Sequence, residues 1–481
     1  MIVLPHLSAL GHLGFVAGGL LVYVVVMRAR HHRSHPYATL AWVMAIIAFP
    51  YLSVPIFLLL GTRKVVRPDT PRAAAPHDAW AALTPPWATQ LLAALGVSGP
   101  GPNAEIEFQT EGSAALAALQ TLLGSAQRTL DVCTYVLADD EVGAAVARQL
   151  AERARAGVRV RLLVDAAGSF KSARSHDAVL RPAGVVRRLF MPPLHRPPRG
   201  RANLRNHRKL AIADGQQVWS GGRNLADEYF IGRAGEPPWM DLSFTARGAL
   251  AEQAQRLFDG DWRIANGAMP ADPAPPEEAP PAAAAAVAAA AEPVPMPAPV
   301  PAQPALAQWV PSGPDFHDDV LHALLLSAAF HAQWRLLIAT PYFVPDEGLL
   351  DGLRLAVTRG VRLTLALPAR SNHRLADWAR GRAVRTLVQA GANVRLVPAM
   401  LHAKAVVVDN ALALCGSANL DSRSLFINYE ANAAFYGDAQ IDWLAGWIER
   451  TAATGRLASG RPPAWWRDVG EGVVATIAFQ L

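Results

Sequence analysis

A nine-residue stretch occurs twice in this chain, and that duplication constrains the fold to two similar halves. The first copy reads Asn206-His207-Arg208-Lys209-Leu210-Ala211-Ile212-Ala213-Asp214. The second reads Leu401-His402-Ala403-Lys404-Ala405-Val406-Val407-Val408-Asp409. Both fit His-x-Lys-x4-Asp. Each is followed by a turn of small residues ending in Asn, Gly221-Gly222-Arg223-Asn224 and Gly416-Ser417-Ala418-Asn419. The His-to-Asn offset is 17 residues in each copy, and the copies lie 195 residues apart. A lone histidine reads best as a hydrogen-bonded structural residue. Two histidines with matched surroundings mark a duplicated catalytic half-site.

The chemistry of the pattern is that of a phosphodiester site. The run from His207 to Ala213 suits a strand, so that His207 and Lys209 project to one face. A lysine supplies a positive charge and an asparagine an amide donor for phosphate oxygens. Histidine can serve as nucleophile or as general acid near neutral pH. Two facing copies place His207, Lys209, Asn224, His402, Lys404 and Asn419 around one phosphate. One imidazole attacks phosphorus and the other protonates the leaving oxygen, while the cations and amides stabilise the oxyanions. This logic requires no metal or other cofactor. Because one histidine must be neutral and the other protonated, the rate should be bell-shaped in pH.

The flanking sequence repeats as well. In the first half, 114–126 reads as a helix, 129–136 as a strand, 140–156 as a helix closed by Gly157, and 158–164 as a strand. In the second, 316–332 reads as a helix, 336–340 as a strand, 348–358 as a helix closed by Gly360, and 361–367 as a strand. This order predicts a mixed or parallel sheet covered by helices. Asp241 and Glu430 are candidates to hold the second nitrogen of the two imidazoles. Asp214 and Asp409 end the motifs and enter the catalytic set with them, with fixing local structure or the lysines as their part. Ser417 can donate to phosphate, whereas its counterpart Gly222 cannot.

Outside the two halves the chain is apolar or low in complexity. The stretches 3–27 and 40–60 are nearly uninterrupted apolar runs, each long enough for roughly 30 Å of hydrocarbon. Together they predict a transmembrane hairpin over 1–67, its second span kinked at Pro50 and Pro55. A connector follows over 68–102, with a short helix near 80–95. The first half takes 103–267, an Ala/Pro-rich linker 268–307, and the second half 308–481. The formal charge of +6 favours anionic partners. Two apolar runs at the N-terminus favour a lipid over nucleic acid. Cys133 and Cys415 sit in apolar runs and read as buried thiols. Near the C-terminus, Trp465 and Trp466 beside Arg467 suit either a membrane interface or packing on the second half.

With these residues in view, the chain resembles bacterial cardiolipin synthases of the phospholipase D type. The resemblance rests on the twin motifs and on Pro36-Tyr37-Ala38-Thr39-Leu40-Ala41-Trp42, Ala339-Thr340-Pro341-Tyr342-Phe343-Val344-Pro345-Asp346-Glu347 and Gly416-Ser417-Ala418-Asn419-Leu420-Asp421-Ser422-Arg423-Ser424. It implies an α/β fold of two phospholipase D-like lobes, each a mixed sheet flanked by helices, forming a pseudo-twofold catalytic unit behind the hairpin. It implies joining of two phosphatidylglycerol molecules with release of glycerol, through a phosphatidyl-histidine on His207 with His402 as acid and then base. It also implies a bacterial inner-membrane enzyme. Three arginines in the turn against three basic residues after the second run leave the positive-inside rule nearly silent, and those latter residues with the low cysteine count favour the cytoplasmic side for the catalytic lobes. Three departures stand out: the long linker, Met240 where the family often has Arg, and the short segment Pro398-Ala399-Met400. The competing readings are a hydrolase, lipase or nuclease, that uses the same site with water, and a non-enzymatic membrane adaptor. The intact His, Lys and Asn in both copies weigh against the adaptor.

Overall fold

The computed structural model describes residues 9–29, 36–60, 83–172, 174–192, 203–267, 305–316 and 318–477. The Ala/Pro tract up to 304, the connector from 61 to 82, the His-bearing turn at 30–35 and residues 478–481 lie outside the described residues.

The first half contributes β1 (Gly101–Gln109), β2 (Thr129–Thr134), β3 (Arg159–Asp165), β4 (Val186–Phe190), β5 (Leu210–Ala213), β6 (Gln217–Gly221) and β7 (Ser243–Gly248). The second contributes β8 (Ala305–Ser312), β9 (Arg335–Ala339), β10 (Phe343–Val344), β11 (Arg362–Pro368), β12 (Asn393–Val397), β13 (Ala405–Val408), β14 (Leu412–Gly416), β15 (Leu420–Asp421), β16 (Glu430–Phe435) and β17 (Arg456–Leu457). All but β10 and β15 join one sheet in the order β17-β12-β11-β9-β13-β14-β16-β8-β1-β7-β6-β5-β2-β3-β4.

That order is a repeat read outward from its centre. From the β1–β8 junction, β1, β7, β6, β5, β2, β3, β4 mirrors β8, β16, β14, β13, β9, β11, β12. The junction is antiparallel, with Gly101, Pro102 and Asn103 facing Ala307, Leu306 and Ala305. Strands β2, β3 and β4 run parallel, as do β9, β11 and β12. The two lobes are therefore halves of a single sheet. Strand β8 begins at Ala305, so the last residues of the expected linker belong to the sheet.

Period-two alternation divides the side chains between two faces. On one face Leu210 and Ile212 of β5, and Ala405 and Val407 of β13, share a core with the helices Ala249–Ala265 and Asp438–Ala453. This core spans both halves and holds the free, buried Cys133 and Cys415. On the other face each half has its own core. Ala211 and Ala213 pack under helices Gly112–Ser125 and Glu141–Arg155. Val406 and Val408 pack under Val320–His331, Glu347–Thr358 and Arg374–Ala390. Gly157 and Gly360, with φ of 92° and 96°, end equivalent helices where a side chain would be strained.

The connector helix is shorter than its sequence suggests, Pro86–Ala94, with a proline at its first position. It buries Ala88 and Leu92 in the core of the second half, and Trp87 stacks on His331 at 5.3 Å.

At the N-terminus the first apolar run forms α1 (Ala9–Ala29). The second does not form one span: it divides at Phe49 into α2 (Pro36–Ala48) and α3 (Pro50–Leu60). Pro50 lacks the N–H that would continue α2, and the Ser53 hydroxyl bonds the Ala45 carbonyl across the break at 2.8 Å. Pro55 lies within α3. Among the described residues no helix is long and apolar enough to cross a membrane. The three helices pack through Tyr23, Ile46 and Phe57 and leave Leu13, Phe15, Leu21, Leu40, Phe49 and Leu52 exposed.

Candidate active site

The two histidines sit at the start of their strands rather than within them. Strand β5 begins at Leu210 and β13 at Ala405, so His207 and His402 lie on the incoming segments. Because β5 and β13 run antiparallel to β2 and β9, both segments lie at the edge where the parallel strands end.

Each segment is pinned by backbone to the opposite half. The His207 amide donates to the Tyr429 carbonyl at 2.8 Å, and the Tyr429 amide returns a bond to Arg205 at 2.8 Å. The His402 amide donates to the Met240 carbonyl at 2.7 Å, and the Met240 amide donates to Met400 at 3.0 Å. The residues that follow these anchors are the two acids. Glu430 Oε1 lies 3.2 Å from His207 Nδ1, and Asp241 Oδ2 lies 2.6 Å from His402 Nδ1. Each imidazole is thus paired with a carboxylate from the other copy. In both rings Nδ1 faces the acid, which leaves Nε2 for a substrate.

The two pairs differ. The bond from His402 to Asp241 is short and aligned, while His207 Nδ1 has no aligned acceptor despite its proximity to Glu430. Tyr229 and Trp239 wall in His402, with ring centres 5.1 Å and 5.4 Å away. Among the described residues the aromatic ring against His207 is Tyr135, edge-on at 4.4 Å. Accordingly the His207 side chain is 16% exposed and that of His402 is 6% exposed.

Electrostatics follow from burial and the lysines. Burial, aided by Lys404, lowers the pKa of His402 to about 3. Burial and then Lys209 lower that of His207. Burial would raise Asp241, but Lys404 and His402 bring it down to about 2. Glu430 is also held below its usual range, because His207 and Lys209 outweigh its burial. Burial lowers Lys209 to about 8 and Lys404 to about 7. At neutral pH the site therefore holds two neutral imidazoles and two ionised acids. The Lys209 ammonium donates to the His207 carbonyl at 2.6 Å and sits 5.6 Å from the Tyr135 ring centre. The Lys404 ammonium lies 2.7 Å from His402 Nδ1 and 3.1 Å from its Nε2, and it bonds the His402 carbonyl.

The remaining candidates are placed as follows. Asn224 Nδ2 donates to the Tyr229 hydroxyl at 2.7 Å, and Asn224 Oδ1 and Asn419 Oδ1 are buried with no hydrogen-bond partner among the described residues. Ser417 is turned away from a phosphate role, since its hydroxyl donates to Glu430 Oε2 at 2.5 Å. Gly222 takes the equivalent position on the other side, where an added Cβ would lie 2.2 Å from Asp241 Oδ1. Asp214 and Asp409 do not belong with the catalytic groups. Asp214 accepts from the backbone amides of Gln127, Arg128 and Thr129, and Asp409 from those of Gln333, Trp334 and Arg335. They stand at the far ends of β5 and β13 with φ of 56° and 50°, closing the turns rather than orienting the lysines.

Sequence reasoning passed over Arg208, which points away from its neighbours into the core. It donates to Asp261 at 2.6 Å and to the Glu430 carbonyl at 3.1 Å, tying the first motif to the second half. Its counterpart is Ala403, so no repeat signal could reveal it. Tyr229 was equally hidden, since its contact with His402 joins the two halves. Among the described residues no three His, Cys, Asp or Glu side chains cluster as metal ligands.

Residues 119–262 and 325–452 match the family described as cardiolipin synthase, PLD-like domain. The chain belongs to the phospholipase D-like cardiolipin synthase family. Among curated relatives, the cardiolipin synthase A of Pseudomonas entomophila is 30% identical over 410 residues, 81% of either chain. That of Pseudomonas aeruginosa strain LESB58 is 30% identical over 445 residues, 87% of this chain and 85% of the relative. Among solved structures, the phosphatidylserine synthase of Haemophilus influenzae superposes with a TM-score of 0.56 at 14% identity. It covers 80% of this chain and 98% of that one, which shows a shared fold. The paired half-sites are thus set in a cardiolipin synthase scaffold of two fused repeats.

Proposed function

We propose that this chain makes cardiolipin by phosphatidyl transfer between two phosphatidylglycerol molecules, releasing glycerol. The observation that carries the reading is the crossed pairing of His207 with Glu430 and His402 with Asp241. It leaves two Nε2 atoms clear of the acids in a site that also holds two buried lysines, in a chain whose family makes this lipid. His207 is the nucleophile, because it is the more open and less tightly held of the two. Its Nε2 attacks phosphorus as the bond to the donor's glycerol breaks, and His402 Nε2–H gives that oxygen its proton. The arriving phosphodiester anion raises the proton affinity of His402 enough for this role. The acceptor's glycerol hydroxyl then yields its proton to His402 and attacks phosphorus, and the P–N bond to His207 breaks. Lys209, Lys404, Asn224 and Asn419 hold the phosphoryl oxygens, while Asp241 and Glu430 hold the rings.

The reading includes a bacterial cytoplasmic membrane setting, with the catalytic halves on the cytoplasmic face. The apolar side chains left exposed on α1, α2 and α3 support a lipid environment for the N-terminus. A hydrolase remains the second reading, since water could replace the acceptor hydroxyl without change to any residue.

The test uses purified protein in phosphatidylglycerol vesicles with a chelator, and products are read by mass spectrometry for wild type, His207→Ala and His402→Ala. Cardiolipin and glycerol from wild type alone is the expected result. Phosphatidic acid in place of cardiolipin would make the chain a hydrolase.

A further inference from the structure

We propose that helix Trp465–Ile477, together with the helix Arg374–Ala390 beneath it, forms a docking surface for an anionic phospholipid bilayer at the rim of the catalytic site. The proposal rests on the phospholipid reading above for the chemistry of its occupant.

The C-terminal helix is docked with its acidic side inward. Asp468 pairs with Arg382 at 3.2 Å and with Arg385 at 2.7 Å. Glu471 pairs with Arg385 at 2.6 Å and with Arg467 at 3.1 Å, and is 2% exposed. The helices cross closely here: a Cβ at Gly381 would lie 2.4 Å from Glu471. The outward side is apolar. Trp465 is 79% exposed, Trp466 57% and Val469 58%, and Leu375 and Trp378 continue the patch onto the neighbouring helix. A surface helix in water shows the reverse arrangement. Ion pairs fix this one so that two indoles face out, and indoles beside cations favour the lipid–water boundary.

The charge fits an anionic surface. Residues 370–390 and 461–472 carry seven arginines against three carboxylates. Those carboxylates, Asp377, Asp468 and Glu471, are each paired with arginine. The excess positive charge complements acidic headgroups and would be wasted on a neutral membrane.

The patch leads to the catalytic mouth. Helix Arg374–Ala390 starts next to Asn372 and His373. The Tyr342 hydroxyl donates to Asn372 at 2.5 Å, and its ring lies 6.2 Å from His373. Tyr342 follows β9, whose end shares the sheet edge with both histidines, and burial, then the nearby Asp421 carboxylate, push its hydroxyl pKa up. On the first half the same edge carries exposed Phe170 beside Lys171. Their loop lies on Tyr135, where a Cβ at Gly168 would clash with that ring. Seated on this rim, a bilayer presents headgroups directly to His207.

The experiment uses the full chain with Trp465→Cys carrying an environment-sensitive dye. The native Cys133 and Cys415 are buried and leave the new thiol as the reactive one. Phosphatidylglycerol vesicles should shift the emission to the blue and brighten it severalfold more than phosphatidylcholine vesicles do. Unchanged emission on phosphatidylglycerol vesicles would overturn the proposal. So would a shift that grows with protein concentration in the absence of lipid, which would make a second copy the occupant. In parallel, Trp465→Ser/Trp466→Ser should lose about tenfold or more in cardiolipin formation on vesicles. On short-chain phosphatidylglycerol below its micelle concentration it should change less than about twofold. Equal losses on both substrates would reduce the helix to a structural element. A dye shift in the labelled chain together with no cardiolipin from the wild type would sink the catalytic reading and leave the docking surface standing.

Discussion

Asp241 grips Nδ1 of His402 at 2.6 Å across 161 residues of sequence. The same residue follows Met240, whose carbonyl holds the His402 amide at 2.7 Å. Ring and backbone of this histidine are therefore fixed by two consecutive residues of the opposite repeat. Asp241→Asn should leave the fold intact and lower cardiolipin formation about a hundredfold, because the ring loses its anionic partner and its fixed tautomer. Glu430→Gln should cost less, since His207 lacks an aligned bond to that acid. The check is a comparison of initial rates, with thermal midpoints measured alongside.

The ionisation of these groups predicts the shape of kcat/KM against pH. The rate should rise as His207 loses its proton, below the ordinary histidine range because its affinity for protons is lowered. It should fall as the lysines lose theirs, Lys404 at about 7 and Lys209 at about 8. The alkaline limb thus combines loss of the phosphate-holding cations with loss of the proton that His402 must carry as acid, and kcat/KM reports the free enzyme. Lys404→Arg should move that limb to higher pH, because arginine stays charged. An unmoved limb would assign it to another group.

Gly222 and Ser417 occupy matched turns with opposite consequences. Gly222→Ser places a side chain where Asp241 now stands, 2.2 Å from its oxygen, and does not recreate the Ser417–Glu430 bond. It should lower kcat by about tenfold or more through displacement of Asp241. Ser417→Ala removes a donor to Glu430 and an acceptor of the Ala431 amide and should cost a few-fold. Steady-state rates of the two variants, compared at matched circular dichroism, decide between these outcomes.

Asp214 and Asp409 give a contrasting signature. Each accepts three backbone amides at the remote end of its strand. Asp214→Ala or Asp409→Ala should destabilise the chain by about 2 kcal/mol through the orphaned amides. Catalysis at low temperature should be nearly unchanged. A denaturant midpoint read against the rate at low temperature separates this from a chemical role.

The sequence made the repeat legible because both halves use the same local chemistry. Apolar runs of β5 and β13, and the glycine stops at Gly157 and Gly360, are nearest-neighbour signals. What joins the halves was harder to read. Asp241 and Glu430 stood out as acids near the histidines, but which imidazole each serves depends on a crossing that spacing does not encode. Arg208 has no counterpart at Ala403, so the repeat concealed it. The kink expected at Pro50 is a full division, because its missing N–H splits the second apolar run at Phe49. The last aspartate of each motif looked catalytic because it travels with the histidine and lysine. A four-residue strand is enough to carry it out of the site.

The antiparallel seam between β1 and β8, with the crossed anchors at Tyr429 and Met240, means that neither repeat contains a finished histidine of its own. Each half behaves as one subunit of a dimer that happens to be written on a single chain. Fragments 1–267 and 305–481, produced together, should find one another through that seam, while either alone should be inert.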